Sequence, residues 1–327
     1  MSQPRVVLIG GGTGSFTLLQ GLKQWTENIT AIVNMSDDGG SSGELRDELG
    51  VLPPGDVRQC LVALSNNPNA RAMFSYRFAD GKFNGHPVGN IILSALELQT
   101  GSFVKAVKIV AELMQLTGQV VPVSTKNHQL VLIDGKQTII GEFKISSHRI
   151  NSENATVCLK PKATINPEAG RAIKTADMVI IAPGNLYSSL LPSLCTEGMA
   201  AALNSTKAKI VMVANLINKP LHTPGWHVID YLQAMERYIG QGTVDLVLYN
   251  TKLPTKDLLA KYAEENEFPV SIEPAKFNLN QTETLGFELL DSNIYQPDPG
   301  DKQIRRTLIR HDAYAVTAAL KSYLYSK

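Results

Sequence analysis

Cysteine is scarce and scattered in this chain of 327 residues. There are three, Cys60, Cys158 and Cys195, with no CxxC pair and no histidine at a zinc-ligand spacing. A disulfide framework and a zinc site are therefore not expected, and a reducing cytoplasm is the expected location. Charge of one sign is lacking as well, since 31 Lys plus Arg stand against 30 Asp plus Glu, a formal net charge of +1. A nucleic-acid or anionic-membrane partner finds no basic field to bind. Long apolar runs are missing too. The longest, such as Val6-Val7-Leu8-Ile9 and Met178-Val179-Ile180-Ile181-Ala182, fall far short of the roughly 20 residues of a membrane span. The run after Arg5 is also too short for a secretory signal and reads as a first strand. No internal repeat or low-complexity tract appears, which argues against a solenoid.

What the chain does contain is ordinary folding material, 43% hydrophobic and 19% charged. Its length suits two domains or one large α/β domain carrying an insertion. Short β-branched runs at residues 5–9, 29–34, 178–182, 210–215, 244–249 and 270–273 alternate with amphipathic stretches, the pattern of parallel strands joined by helices. The stretch between the second and third of these runs is too long for one crossover and predicts an inserted lobe. Its first part is predicted helical, at 57–65, 69–78, 89–100 and 103–116. Its second part is predicted to form small antiparallel strands at 120–124, 130–133, 138–143 and 156–161, with Asp134-Gly135 as a hairpin turn. The expected division is a nucleotide-binding core of residues 1–50 and 165–327, and an inserted helical and β-hairpin lobe of residues 51–164. The tail at 281–306 lacks periodicity, whereas 311–325 returns to a helical pattern.

Five blocks carry candidate chemistry. The first, Gly10-Gly11-Gly12-Thr13-Gly14-Ser15, follows the first strand and precedes a helical segment. Such a turn offers unpaired N–H groups and a partial positive charge to a phosphate; the alternative is a turn that needs glycine only for packing. With Gly10 and Gly12 as the first glycines of a GxGxxG, Ser15 falls in the third place, and no GK[ST] follows. The second block, Ser36-Asp37-Asp38-Gly39-Gly40-Ser41-Ser42-Gly43, follows the second strand and so lies at the same sheet edge, where open α/β sheets bind ligands. Asp37 and Asp38 are candidates for Mg²⁺, which favours one or two carboxylates beside phosphate oxygens; the alternative is a solvated Asx-turn loop.

The third block holds Asp56, suited to helix capping, and Arg58, which suits an anion. The fourth, Gly85-His86-Pro87-Val88-Gly89-Asn90, offers His86 and Asn90 either as ligand groups or as structural ones. The fifth, Ala182-Pro183-Gly184-Asn185-Leu186-Tyr187-Ser188-Ser189, is another glycine turn at a strand's carboxyl end.

Taken in this order, the blocks resemble the gluconeogenesis-factor family (YvcK/CofD-like), whose relatives include the 2-phospho-L-lactate transferases. The most specific part is Asp37-Asp38-Gly39-Gly40-Ser41-Ser42-Gly43 with Leu45-Arg46, then Pro54-Gly55-Asp56 and Arg58, Gly85-His86, Gly89-Asn90, Pro183-Gly184 and Leu186-Tyr187. The resemblance implies a Rossmann-like three-layer α/β/α core with a mainly parallel sheet, binding a nucleotide diphosphate compound. In one branch that compound is a UDP-sugar and the role concerns cell shape and growth on gluconeogenic carbon. In the other, a phospholactyl group passes from a guanosine diphosphate compound to a deazaflavin alcohol. The chain departs from the family pattern at Pro87, Ala182, Asn185 and Ser188, in Pro220-Leu221-His222-Thr223, and at Asp230-Tyr231.

Together these readings make Asp37, Asp38 and Asp56 the candidate catalytic residues, with Asp37 and Asp38 as Mg²⁺ ligands. The candidate binding residues are Gly11, Gly12, Thr13, Gly14, Ser41, Ser42, Arg58, His86, Asn90, Gly184, Asn185, Leu186 and Tyr187. Tyr262 is added to stack on a uracil ring and Arg310 to grip a diphosphate. NAD, haem and zinc are not expected as cofactors, and self-association into a homo-oligomer is left open.

Overall fold

The computed structural model describes residues 3–273, 282–292 and 308–326. In chain order the elements are β1 (Val6–Gly10), α1 (Gly12–Leu22), β2 (Ile29–Val33), α2 (Gly40–Leu49), α3 (Gly55–Leu64), α4 (Pro68–Ser75), α5 (Val88–Thr100), α6 (Phe103–Leu113), β3 (Gln119–Pro122), β4 (Gln129–Asp134), β5 (Gln137–Ile140), α7 (Glu142–Ser147), β6 (Thr156–Lys160), α8 (Pro167–Thr175), β7 (Met178–Ile181), α9 (Leu191–Leu194), α10 (Met199–Ser205), β8 (Lys209–Val213), α11 (Val228–Ile239), β9 (Leu246–Asn250), α12 (Lys256–Ala263), β10 (Glu283–Phe287) and α13 (Ala313–Tyr325).

Seven strands form one parallel sheet in the order β10-β9-β8-β7-β1-β2-β3. Its central strands are apolar along their whole length because helices cover both faces, and every residue of β1, β2 and β7 is buried. The order runs outward in one direction from β1 and in the other from β7. Right-handed crossovers then place the helices of the two halves on opposite faces. On one side α1 packs against α3 and α13, and on the other α10 packs against α8 and α11. Local signals set the helix ends. Asn67 and Ser102 cap α4 and α6, Asn166 followed by Pro167 starts α8, and Asp312 accepts from the amides of Tyr314 and Ala315 to start α13.

The chain is an α/β protein, with a second sheet of three antiparallel strands in the order β5-β4-β6. Its β4–β5 hairpin turns where expected, with Asp134 opposite Gln137 and Gly135 at φ +60°. Three expectations change. The run at 120–124 pairs with β2 in the large sheet instead of joining the small one, because Gly118, at φ +83° against Ile29, turns the chain alongside β2. Residues 51–164, expected as an inserted lobe, thus also supply one strand of the large sheet. The run at 270–273 makes only one isolated bridge, from Ser271 to His227, because β10 already occupies the free edge of β9. Finally, residues 142–143, expected in a strand, open α7. Most of the expected irregular tail at 281–306 lies outside the described residues.

Candidate functional site

Where the strand order reverses, between β1 and β7, the helices that follow lead away to opposite faces and leave a crevice at the carboxyl edge. A cleft of about 320 Å³ occupies this place. It is lined by Gly11, Gly12, Thr13 and Gly14 after β1, by Gly184 and Asn185 after β7, by Asn215 and Lys219 after β8, and by Arg310 and His311 ahead of α13. Seven of the sequence-predicted residues are thus brought together here. Gly12 takes φ +62° at the first position of α1, and Gly14 lies so close to the Pro183 carbonyl that a Cβ would overlap it. The two glycine loops are therefore pressed against one another. Asn215 fixes the second loop, donating to the Gly184 carbonyl at 2.8 Å and accepting from its amide at 3.2 Å. Two cations border the cleft: Arg310, and Lys219, which pairs with Glu267 at 2.7 Å. Burial pushes the His311 imidazole down to about 4, so it lines the cleft as a neutral ring.

Ser41, Ser42, Arg58 and Asn90 do not reach that cleft. They line a second one of about 420 Å³, together with Asp37 and Arg77. A chain of hydrogen bonds fixes them. Arg58 Nε donates to Asn90 Oδ1 at 3.0 Å, and Asn90 Nδ2 donates to Ser41 Oγ at 3.1 Å. Ser41 Oγ is then free to donate to His86 Nδ1 at 2.8 Å, and His86 Nε2 meets Glu44 at 3.0 Å. His86 is thus a support behind the cleft wall, and Arg58 is a guanidinium only 7% exposed.

Partly buried carboxyl groups stand at the second cleft and behind the first glycine turn. Asp56 lies against Gly11 and accepts from the Gly12 amide, while Asp37 accepts from the Gly39 amide at 3.1 Å and from Ser42. Both are raised above the usual carboxylate range, chiefly by burial; Asp37 then pushes Asp56 further, and Asp38 does the same to Asp37. Glu142 joins them from α7. It is pushed up to about 7, again first by burial and then by the Asp37 charge, while hydrogen bonds from Ser146 and Ser188 pull the other way. Like charges held close together oppose one another's ionisation, so these carboxyls keep their protons more tightly than isolated ones do.

Several assignments change. Asp38 does not stand beside Asp37. Its oxygens accept from the amides of Glu142 and Phe143 at 2.9 and 2.7 Å, capping α7, with Arg46 at 3.9 Å. Asp56 faces the glycine loop instead of capping its own helix. Leu186 and Tyr187, 1% and 3% exposed, point into the core and line neither cleft. Tyr262 does not present its ring to a base. The ring is buried beside Ile217 and Ile309, and its hydroxyl accepts from the amides of Leu308 and Ile309 at 2.8 and 3.2 Å, anchoring the segment that carries Arg310. Sequence reasoning missed Glu142, which it placed in a strand; Gly141 just before it, at φ +104°, is the local sign of a break. It also missed Asn215 and Lys219, although both lie in another loop at a strand's carboxyl end.

No helix among the described residues is long and apolar enough to cross a membrane. The profile of the family described as 2-phospho-L-lactate transferase CofD matches residues 6–294. The gluconeogenesis factor of Listeria innocua is similar, at 34% identity over 334 residues that cover 100% of this chain and 97% of that protein. A Thermotoga maritima protein is 39% identical over 310 residues, 94% of this chain and 96% of its own. In three dimensions the chain is similar to the crystal structure of a UPF0052-family protein from Bacillus halodurans. The TM-score is 0.88 at 32% identity, covering 98% of this chain and 99% of that one.

Proposed function

The chain belongs to the CofD family and groups with its gluconeogenesis factors, and from that premise we propose that it binds a nucleotide diphosphate compound of the UDP-sugar class in the switch-point cleft. The observation that carries this reading is the convergence of three strand-end loops with Arg310 and Lys219 on one crevice. The diphosphate would lie across the Gly11–Gly14 turn at the start of α1, where backbone amides and the helix dipole favour negative charge, with Arg310 as a fork for its oxygens. The sugar and base would occupy the arms toward Asn185 and toward Asn215. A role in cell shape during growth on gluconeogenic carbon is the cellular side of the same proposal. Titration calorimetry with UDP-N-acetylglucosamine and with GDP, each with and without Mg²⁺, tests it. Saturable binding of the UDP-sugar is expected, and no saturable heat with either compound ends the reading.

One observation favours a second reading, that of a transferase. The second cleft, with buried Arg58 and the carboxyl groups at it and behind the first glycine turn, gives room for an acceptor across from a nucleotide-bound donor. Asp38 does not fit a Mg²⁺ site, because its oxygens are committed to α7. Asp37 and Asp56 do fit, since two like charges held together in a buried place are relieved by a cation, and they are the residues that would hold the ion. Bound there, Mg²⁺ supplies positive charge to phosphate oxygens. The protein's own part would be to position the acceptor hydroxyl with Arg58, Asn90 and Ser41. Release of GMP from a lactyl-diphospho-guanosine in the presence of a deazaflavin alcohol favours this reading, and its absence leaves the binding factor.

A further inference from the structure

His222 lies in the loop between β8 and α11 and lines neither cleft. Its ring is only 3% exposed and is held on three sides. Nε2 is 2.9 Å from the carbonyl oxygen of Ile145 in α7, and Nδ1 is 3.0 Å from the side-chain amide of Asn185, at the atom placed as Oδ1. The ring meets Tyr187 edge-on, at 5.8 Å between centroids and 71° between planes. Burial lowers its proton affinity, and the neighbouring His148 and Lys219 charges add to this against the backbone hydrogen bonds at Ile145 and His148; the net shift is downward, so the ring is neutral and carries a single N–H.

The hydrogen-bond inventory then leaves one arrangement. The Ile145 carbonyl can only accept, so the proton sits on Nε2 and Nδ1 is left with a lone pair. A lone pair cannot face a second acceptor, and the two ends of an asparagine amide exchange by a half-turn. The Asn185 NH₂ therefore faces the imidazole, which leaves its carbonyl oxygen as the side-chain group turned away from the ring. Asn185 lines the switch-point cleft.

We propose that His222 is a positioning residue that sets the polarity of Asn185, so that the cleft presents a carbonyl acceptor and selects a ligand group that donates a hydrogen, such as a sugar hydroxyl or an imide N–H. The setting originates in the insertion, because the α7 carbonyl fixes the tautomer on which it depends. A site with an oriented acceptor rejects an analogue that lacks the donor far more strongly than an apolar wall rejects a change in size, because the acceptor is then left unpaired. The inference rests on the nucleotide-binding reading for its ligand, but its first link concerns the protein alone.

The experiment has two arms. In the ¹⁵N spectrum of the full chain at pH 7.5, His222 is expected to show a pyrrole-like Nε2 and a pyridine-like Nδ1. The opposite tautomer, or an imidazolium, overturns the proposal whether or not any nucleotide binds. In the second arm, UDP-N-acetylglucosamine is titrated calorimetrically into the wild type, His222→Phe and Asn185→Leu. Roughly tenfold weaker binding is expected for Asn185→Leu and severalfold for His222→Phe, the equivalent of about 1.4 kcal/mol and somewhat less. Unchanged binding by a folded Asn185→Leu overturns the proposal. Should His222→Phe fail to fold, Asn185→Leu and the tautomer decide. No binding by the wild type, with the expected tautomer present, counts against the nucleotide reading and leaves the Asn185 polarity standing.

Discussion

Alanine at Gly14 sets two contributions of opposite sign against each other. Gly14 lies in the first turn of α1, so the exchange gains about 1 kcal/mol of helix propensity. The added methyl overlaps the Pro183 carbonyl oxygen and stands 3.0 Å from its carbonyl carbon and 3.5 Å from its Cγ. The opposing atoms are mostly backbone and cannot swing aside, so the β1 and β7 loops must part, and overpacking of this kind costs about 1–3 kcal/mol. The net expectation is a loss of about 1 kcal/mol. Gly170 is the control. It sits within α8 with nothing inside 4 Å of its Cβ position, so Gly170→Ala gains about 0.5–1 kcal/mol. The two variants should differ by about 2 kcal/mol in urea unfolding, read as opposite shifts of the midpoint at constant slope. Nucleotide binding should fall at least tenfold in Gly14→Ala, an effect of about 1.4 kcal/mol, and stay unchanged in Gly170→Ala. Equal stability of the two variants with equal binding would refute the claim that these loops form one pressed-together rim.

Three further outcomes are expected. Asp38→Ala removes the cap of α7, so it should cost about 1 kcal/mol and speed hydrogen exchange at residues 142–147. Unchanged exchange there, with a loss confined to metal-dependent binding, would restore Asp38 as a metal ligand. Tyr262→Phe strips the acceptor from the Leu308 and Ile309 amides; a loss of about 1–3 kcal/mol and weaker nucleotide binding through Arg310 are expected in unfolding and calorimetric titrations. Glu142 gives a pH dependence. Its folded value of about 7, against an ordinary 4.5, means that the folded state keeps a proton the unfolded chain has released, so stability falls as pH rises between those values and levels off above them. Glu142→Gln should flatten that fall in urea midpoints taken from pH 5 to pH 8, and a steeper fall in the variant contradicts the assignment.

The glycine turns after β1 and β7 were legible because strand, glycine and helix follow one another directly in sequence, and because loops at the carboxyl ends of parallel strands share an edge whatever their order. Which loops share a cleft depends on that order. Pro183 faces Gly14 because β7 adds beside β1, whereas Ser41 and Arg58 line a separate cleft. Adjacent residues on extended chain project to opposite sides, which is why Asp37 and Asp38 part company: Asp37 turns toward Ser42 and Gly55, and Asp38 toward α7. The residue that replaces Asp38 beside Asp37 is Asp56, supplied by a different helix.

Long-range pairing also explains why His222 was not read as a site residue and why Asn185 was read only within its own loop. The two side chains are 3.0 Å apart, so they form a single contact that neither loop reveals by itself. A polar group that changes alone leaves its buried partner unsatisfied, which costs about 1–3 kcal/mol, whereas a matched change keeps both ends bonded. The same reasoning applies to Tyr231, whose hydroxyl is bonded to Thr223 at 2.8 Å and to Asn218 at 2.9 Å. The loop between β8 and α11 is therefore held by bonds to Tyr231 of α11 and, through His222, to Asn185 at the cleft.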